Sequence, residues 1–126
     1  MIFKIDSSFV GIKKHMKKIL ITMLAFTLGA SAQEKKNKNA KYDVEVNGNC
    51  EQCKARIEKA AFSVKGVKSA EWHPDDHVLH LIINEEKTSL GEVEKAIANA
   101  GHDNPGAQAT DADYKHLPAC CHYDRK

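Results

Sequence analysis

The spacing of apolar side chains changes period along one short stretch, Lys41 to Gly101, and that order of periods constrains the fold more than any composition figure. Tyr42, Val44 and Val46 alternate with Asp43 and Glu45, as in a half-buried strand. After Asn47-Gly48-Asn49 the apolar positions fall at Cys53, Ile57, Ala60, Ala61 and Val64, one face of a helix that Gly66 ends. A second strand covers about Val67–Trp72, with Ala70 and Trp72 on one side, and Pro74-Asp75-Asp76 supplies a turn. In His77–Ile83, Leu79, Leu81 and Ile83 share one face while Val78, His80 and Ile82 share the other. Ser89-x-x-Glu92 is a capping box opening a second helix with the stripe Leu90, Val93, Ile97 and Ala100, closed by Gly101.

Beyond Gly101 the pattern fades. His102-Asp103-Asn104-Pro105-Gly106 is turn chemistry, Ala107-Gln108-Ala109 a weak candidate for a last strand, and Asp111–Leu117 a short helical turn anchored by Tyr114 and Leu117. The order β-α-β-β-α, with an optional final strand, predicts an α+β, ferredoxin-like sandwich: an antiparallel sheet with two helices on one face. Its 61 residues make a small core, so a bound ion or a packed tail would stabilise it noticeably.

The start of the chain has a different character. Lys13, Lys14, Lys17 and Lys18 precede a short apolar run, Ile19 to Leu28, and Ala30-Ser31-Ala32 has the small-x-small form of a signal-peptidase site. The run is too short for a bilayer, which needs ~20 apolar residues. The expectation is a cleaved signal peptide over 1–32, with Met16 an alternative start that would make 1–15 an upstream extension. No cysteine follows the cleavage site to carry a lipid anchor. The domain plan is then a polar linker at 33–40, a domain at 41–107 and a Cys-containing tail at 108–126.

Removing the leader takes five Lys and one Asp from a chain of formal charge +2, leaving 14 basic against 16 acidic side chains, a formal −2. With no basic excess there is no electrostatic case for nucleic acid. A mean hydropathy of −0.49 excludes a polytopic membrane protein. All three methionines leave with the leader and all four cysteines stay. In a periplasmic or secreted chain, disulfides compete with metal for those cysteines.

Cys50-Glu51-Gln52-Cys53 lies where the first strand gives way to the first helix. Helix amides and the helix dipole favour the thiolate there, the form that both metal binding and thiol exchange require. Two soft thiolates about a turn apart suit Cu(I) in near-linear geometry and leave Zn(II), which wants four ligands, half satisfied.

With this arrangement the chain resembles the heavy-metal-associated domain family of copper chaperones and metal-transporter modules. The likeness runs from about Lys41 to Asp103: Val46-Asn47-Gly48-Asn49-Cys50-Glu51-Gln52-Cys53, the Lys65-Gly66-Val67 ending, the Leu79/Leu81/Ile83 strand, and Ala100-Gly101-His102-Asp103. The resemblance implies a non-enzymatic carrier that holds Cu(I), or Zn(II) or another heavy metal, on Cys50 and Cys53. It implies transfer by ligand exchange during transient docking with a metal-transporting membrane protein or another metal-binding domain. The loop after the second helix approaches the metal in the family, which makes His102 a candidate auxiliary ligand. The family motif is Gly-Met-Thr/Ser-Cys-x-x-Cys; Gly48-Asn49-Cys50 is one residue shorter and lacks the Met that packs beneath the site. The ending Leu117-Pro118-Ala119-Cys120-Cys121-His122-Tyr123 looks like that of exported variants.

Other readings stay open. Cys50 and Cys53 could form a structural disulfide or serve a thiol–disulfide oxidoreductase, although the aromatic-Cys-Gly-Pro-Cys form of thioredoxins is missing. Cys120 and Cys121 could ligate metal, pair as a vicinal disulfide or cross-link to the first two, stapling an interaction domain. If Pro118 stops a helix and returns the tail to Cys50 and Cys53, one of the adjacent pair is better placed than both to join a shared site, because neighbouring side chains diverge. Extra ligands from the tail, with His102 or His122 adding nitrogen, would close the site and admit Zn(II). His73, His77 and His80 read as surface residues of the turn and the open sheet face.

Overall fold

The computed structural model describes residues 34–125, so the expected signal peptide at 1–32 lies outside the described residues. Three strands and two helices follow the predicted order: β1 (Ala40–Glu45), α1 (Glu51–Phe62), β2 (Val67–Trp72), β3 (Val78–Ile83) and α2 (Leu90–Asn99). The strands form one antiparallel sheet in the order β1-β3-β2. In register, Val44 faces Leu79 and Tyr42 faces Leu81 on one side, while Trp72 faces Leu79 and Ala70 faces Leu81 on the other. The period-two alternation thus sends Val44, Ala70, Trp72, Leu79, Leu81 and Ile83 to one face. They are buried there with Cys53, Ile57 and Ala61 of α1 and Val93 and Ile97 of α2.

The caps follow the sequence. The Ser89 side chain accepts from the Glu92 amide at the start of α2. Gly101 adopts positive φ directly after the Ala100 cap of α2, whereas α1 ends earlier than expected, at a Ser63 cap, and Gly66, also at positive φ, closes the turn that follows it. β1 begins at Ala40, and Asn37 ahead of it is tied to the sheet by two bonds with Glu85: the Asn37 amide donates to the Glu85 carboxylate and the Glu85 amide to the Asn37 carbonyl.

Two features depart from the expected pattern. First, α1 stops at Phe62, so Val64 packs half-buried from the turn and not from the helix stripe. Second, no fourth strand forms among the described residues; Asn104 and Ala107 make only an isolated bridge. Side chains of this segment consume the amides that a ladder would use. Asn104 Oδ1 accepts from Gly106 and Ala107, and Asp103 Oδ1 accepts from Ala109.

The tail instead forms α3 (Asp111–Lys115) and a 3-10 turn at Ala119–Cys121 that lies against α1. Leu117, Cys121 and Tyr123 join the buried core. Full burial of a side chain such as Leu117 contributes ~1.5–3 kcal/mol, a sizeable addition to so small a domain. No described helix is long and apolar enough to cross a membrane.

Two glycines of α2 and its end should respond to alanine in opposite directions. At Gly101 φ is +103°, and a Cβ would stand 2.8 Å from Leu117 Cδ2 and 2.9 Å from the Asp113 carbonyl. Gly101→Ala is expected to lower the unfolding free energy by about 1–3 kcal/mol. Gly91 has open space around it, and Gly91→Ala should raise stability by about 0.5–1 kcal/mol. Urea titrations of the two variants check the signs.

Candidate metal centre

The loop that delivers Cys50 is fixed by its own backbone bonds. The Val46 amide donates to the His77 carbonyl at 2.8 Å, and the Val46 carbonyl accepts from Trp72 Nε1 at 3.1 Å. The Asn47 amide donates to the Asp103 carbonyl at 3.0 Å, and the Asn47 carbonyl accepts from His102 Nδ1 at 2.7 Å. Asn49 then donates its amide to Cys53 Sγ at 3.3 Å. Paired backbone on this scale leaves the loop little freedom, so the sulfurs are positioned in advance. Gly48 is needed at the centre, since a Cβ would stand 3.0 Å from Cys53 Cβ and 3.1 Å from the Trp72 ring. Trp72, fully buried, thus packs against Gly48 close to Cys53 Cβ in a chain that lacks the motif methionine.

Cys50 is the N-cap of α1 and Cys53 lies in its first turn, with sulfurs 3.6 Å apart. All four cysteines are free thiols. The tail brings the second pair to the same place: Cys120 Sγ is 3.0 Å and Cys121 Sγ 3.9 Å from Cys50 Sγ. Cys50, Cys53 and Cys121 form a group whose sulfurs all lie within 4.8 Å of one another. Cys53 and Cys121 are fully buried, Cys50 is half-buried and Cys120 exposed. The Cys120 sulfur also bonds Gln52 Oε1 at 3.1 Å. The Cys120 thiol bonded to Cys50, with the backbone amide of Cys53, lowers the Cys50 pKa to about 7. The same bond to Cys50 raises Cys120, and burial, followed by the neighbouring Cys53, pushes Cys121 well up. Cys50 thus ionises more readily than an ordinary cysteine, and Cys120 and Cys121 less readily.

His102 has a different place from the one its position suggested. It is fully buried and lies outside the three-sulfur group. Its Nδ1 faces a carbonyl and so carries the proton, while Nε2 has no hydrogen-bond partner. Burial lowers its pKa despite the Asn47 carbonyl, so the ring is neutral at pH 7. His122 bonds the Leu117 carbonyl through Nε2 and stacks on Tyr114, also outside the group.

Tyr114 and Leu117 anchor the tail as expected, but the polar contacts that hold it escaped the sequence reading. Tyr123 OH accepts from the Asp103 amide at 2.9 Å and donates to the Gly101 carbonyl at 2.8 Å, and its ring stacks on His102. Tyr114 OH donates to the Tyr123 carbonyl. Arg125 makes two bonds to the Asp103 carboxylate, at 2.9 and 3.1 Å, and one each to Ala109 O and Asp111. Burial alone would raise the Asp103 pKa; Arg125 and the Ala109 amide outweigh it and hold the carboxyl below its usual range. One local signal was available: Thr110-x-x-Asp113 caps α3, with Thr110 Oγ1 accepting from the Asp113 amide. Nothing in the spacing of Asp103, Tyr123 and Arg125 advertises their pairing.

A match to the heavy-metal-associated domain covers residues 43–103. This segment belongs to that family, and the tail beyond Asp103 lies outside the match. Among solved structures the CopZ metallochaperone superposes with a TM-score of 0.50 and 24% identity, covering 52% of this chain and 98% of that one, a likeness of fold. Oxidized MerP from Ralstonia metallidurans CH34 gives a TM-score of 0.46 and 25% identity over 52% of this chain and 94% of that one. A search of curated proteins found no match. A fold of this family with clustered free thiols at a helix start is suited to binding a heavy metal.

The lowered pKa of His102 carries a pH signature. Its neutral form is the one the fold accommodates, so the full stability is present above the unfolded value of about 6.5 and is lost as pH falls from there toward the folded value. The urea midpoint should therefore drop between pH 7.5 and pH 5. His102→Asn keeps a donor for the Asn47 carbonyl without a titrating ring and should flatten that drop. Parallel pH profiles for the two proteins would contradict the assignment.

Proposed function

We propose that this is an exported, non-enzymatic carrier of a soft metal ion, Cu(I) before Zn(II), bound through Cys50 and Cys53. The observation that carries the reading is the pair of free sulfurs 3.6 Å apart at the N-terminus of α1, on a loop whose backbone groups are already paired. Soft thiolates select soft ions, and the helix start favours the negative charge they bring. Export is supported by the leader at 1–32, with its lysines, short apolar run and Ala30-Ser31-Ala32. The protein works in trafficking or sequestration outside the cytoplasm, docking transiently on a metal-transporting membrane protein or another metal-binding domain. Only the dithiol takes metal, so loading depends on the reducing poise or precedes oxidation.

Expressed in a bacterial host, the periplasmic fraction should contain a chain that begins at Gln33 by intact mass. After reduction it should bind one Cu(I) in competition with a chelator. The Cys50→Ser/Cys53→Ser double variant should keep its far-UV spectrum and lose affinity by about 100-fold or more. Unchanged stoichiometry and affinity in that variant contradict the proposal.

A further inference from the structure

The family match accounts for two sulfurs at the site; the tail brings more. We infer that Cys121 is a third thiolate ligand, making a closed three-sulfur site for a soft monovalent ion, with Cys120 outside the coordination sphere at its solvent edge. The inference rests on the soft-metal reading above and goes beyond it in naming the donor set and its source.

The distances suit the purpose. Three sulfurs each about 2.3 Å from a shared ion stand about 4 Å apart in a trigonal plane. The edges Cys50–Cys53 and Cys50–Cys121 measure 3.6 and 3.9 Å, and Cys53–Cys121 is within 4.8 Å. Cys120 is closer to Cys50, at 3.0 Å, but does not belong to the group in which every sulfur is near every other. The two adjacent side chains diverge in the 3-10 turn: Cys121 goes into the core at 0% exposure and Cys120 stays exposed against Gln52.

The tail is also locked in place around this residue. Pro118 O accepts from the Cys121 amide at 2.8 Å, and Cys121 O accepts from Tyr123 at 2.9 Å. Tyr123 is bonded at both Gly101 and Asp103, and Arg125 closes on the Asp103 carboxylate. A third thiolate positioned this firmly costs little ordering entropy when the ion arrives. Binding displaces the thiol protons to solvent and changes no oxidation state. Three thiolates satisfy Cu(I) and leave Zn(II) one ligand short of its tetrahedron. With Cys53 and Cys121 buried, an incoming ligand reaches the ion from the Cys120 side, so the site retains its ion more firmly than an open two-sulfur site.

The test loads the reduced full exported chain with Cu(I), supplied anaerobically as its acetonitrile complex, and counts sulfur neighbours by copper K-edge X-ray absorption. Three sulfurs are expected for the wild-type protein and for Cys120→Ser. Cys121→Ser should show two and should bind Cu(I) about tenfold more weakly in chelator competition. Two or four sulfurs in the wild-type protein overturn the inference whether or not Cys121→Ser folds. So does a third sulfur lost in Cys120→Ser and kept in Cys121→Ser. Two sulfurs with Cu(I) still held by Cys50 and Cys53 remove this inference alone, whereas no Cu(I) uptake at all removes the metal reading with it.

Discussion

The segment Gly101–Asp103 holds both sides of the site, and the rest of the arrangement depends on it. Upstream it grips the metal loop: His102 donates to the Asn47 carbonyl and the Asp103 carbonyl accepts from the Asn47 amide. Downstream it grips the tail: the Asp103 amide and the Gly101 carbonyl both bond the Tyr123 hydroxyl, while the Asp103 carboxylate takes Arg125. Each is a buried or half-buried polar contact, where leaving one partner unpaired costs about 1–3 kcal/mol. The positive φ of Gly101 lets the chain turn out of α2 and begin this segment. Two cysteine pairs far apart in sequence thereby meet through one short connection.

Such a connection matters for a domain of this size. The family segment alone ends at Asp103, with β1, β2 and β3 covered on one face by two helices. The tail then adds Leu117, Cys121 and Tyr123 to the same core cluster. Access to the sulfurs and stability are coupled by this packing, because whatever lifts the tail to open the site also exposes apolar surface. In the three-sulfur arrangement proposed above, ligand exchange would be slower than from a bare Cys-x-x-Cys loop, which suits retention better than rapid hand-over.

The regular part of this design was legible in the sequence because its causes are local. Alternation at Tyr42–Val46 and Val78–Ile83, the Cys53–Ile57–Ala61 stripe, the Ser89 cap and the terminal Gly101 each act within a few residues, and each has its structural counterpart. The thiol pair at the start of α1 was legible for the same reason. What escaped was non-local. His102 suggested a ligand from its place after α2, yet its Nδ1 is engaged by a carbonyl 55 residues away in sequence. The weak last strand gave way because Asp103 and Asn104 side chains bond the amides that a ladder needs. The Tyr123 and Arg125 contacts span about twenty residues of irregular chain, where no period exists to be read.

The claim at the centre of this account is that the tail is a fixed wall of the site and not an appendage. Amide hydrogen exchange at Asp103 tests it most directly, since that N–H is buried and its partner is the hydroxyl of Tyr123 from the tail. In the reduced, metal-free protein the account predicts protection of the Asp103 amide comparable to that of the β3 amides, which report global unfolding. Exchange of Asp103 at the rate of an open loop, with β3 still protected, would contradict it.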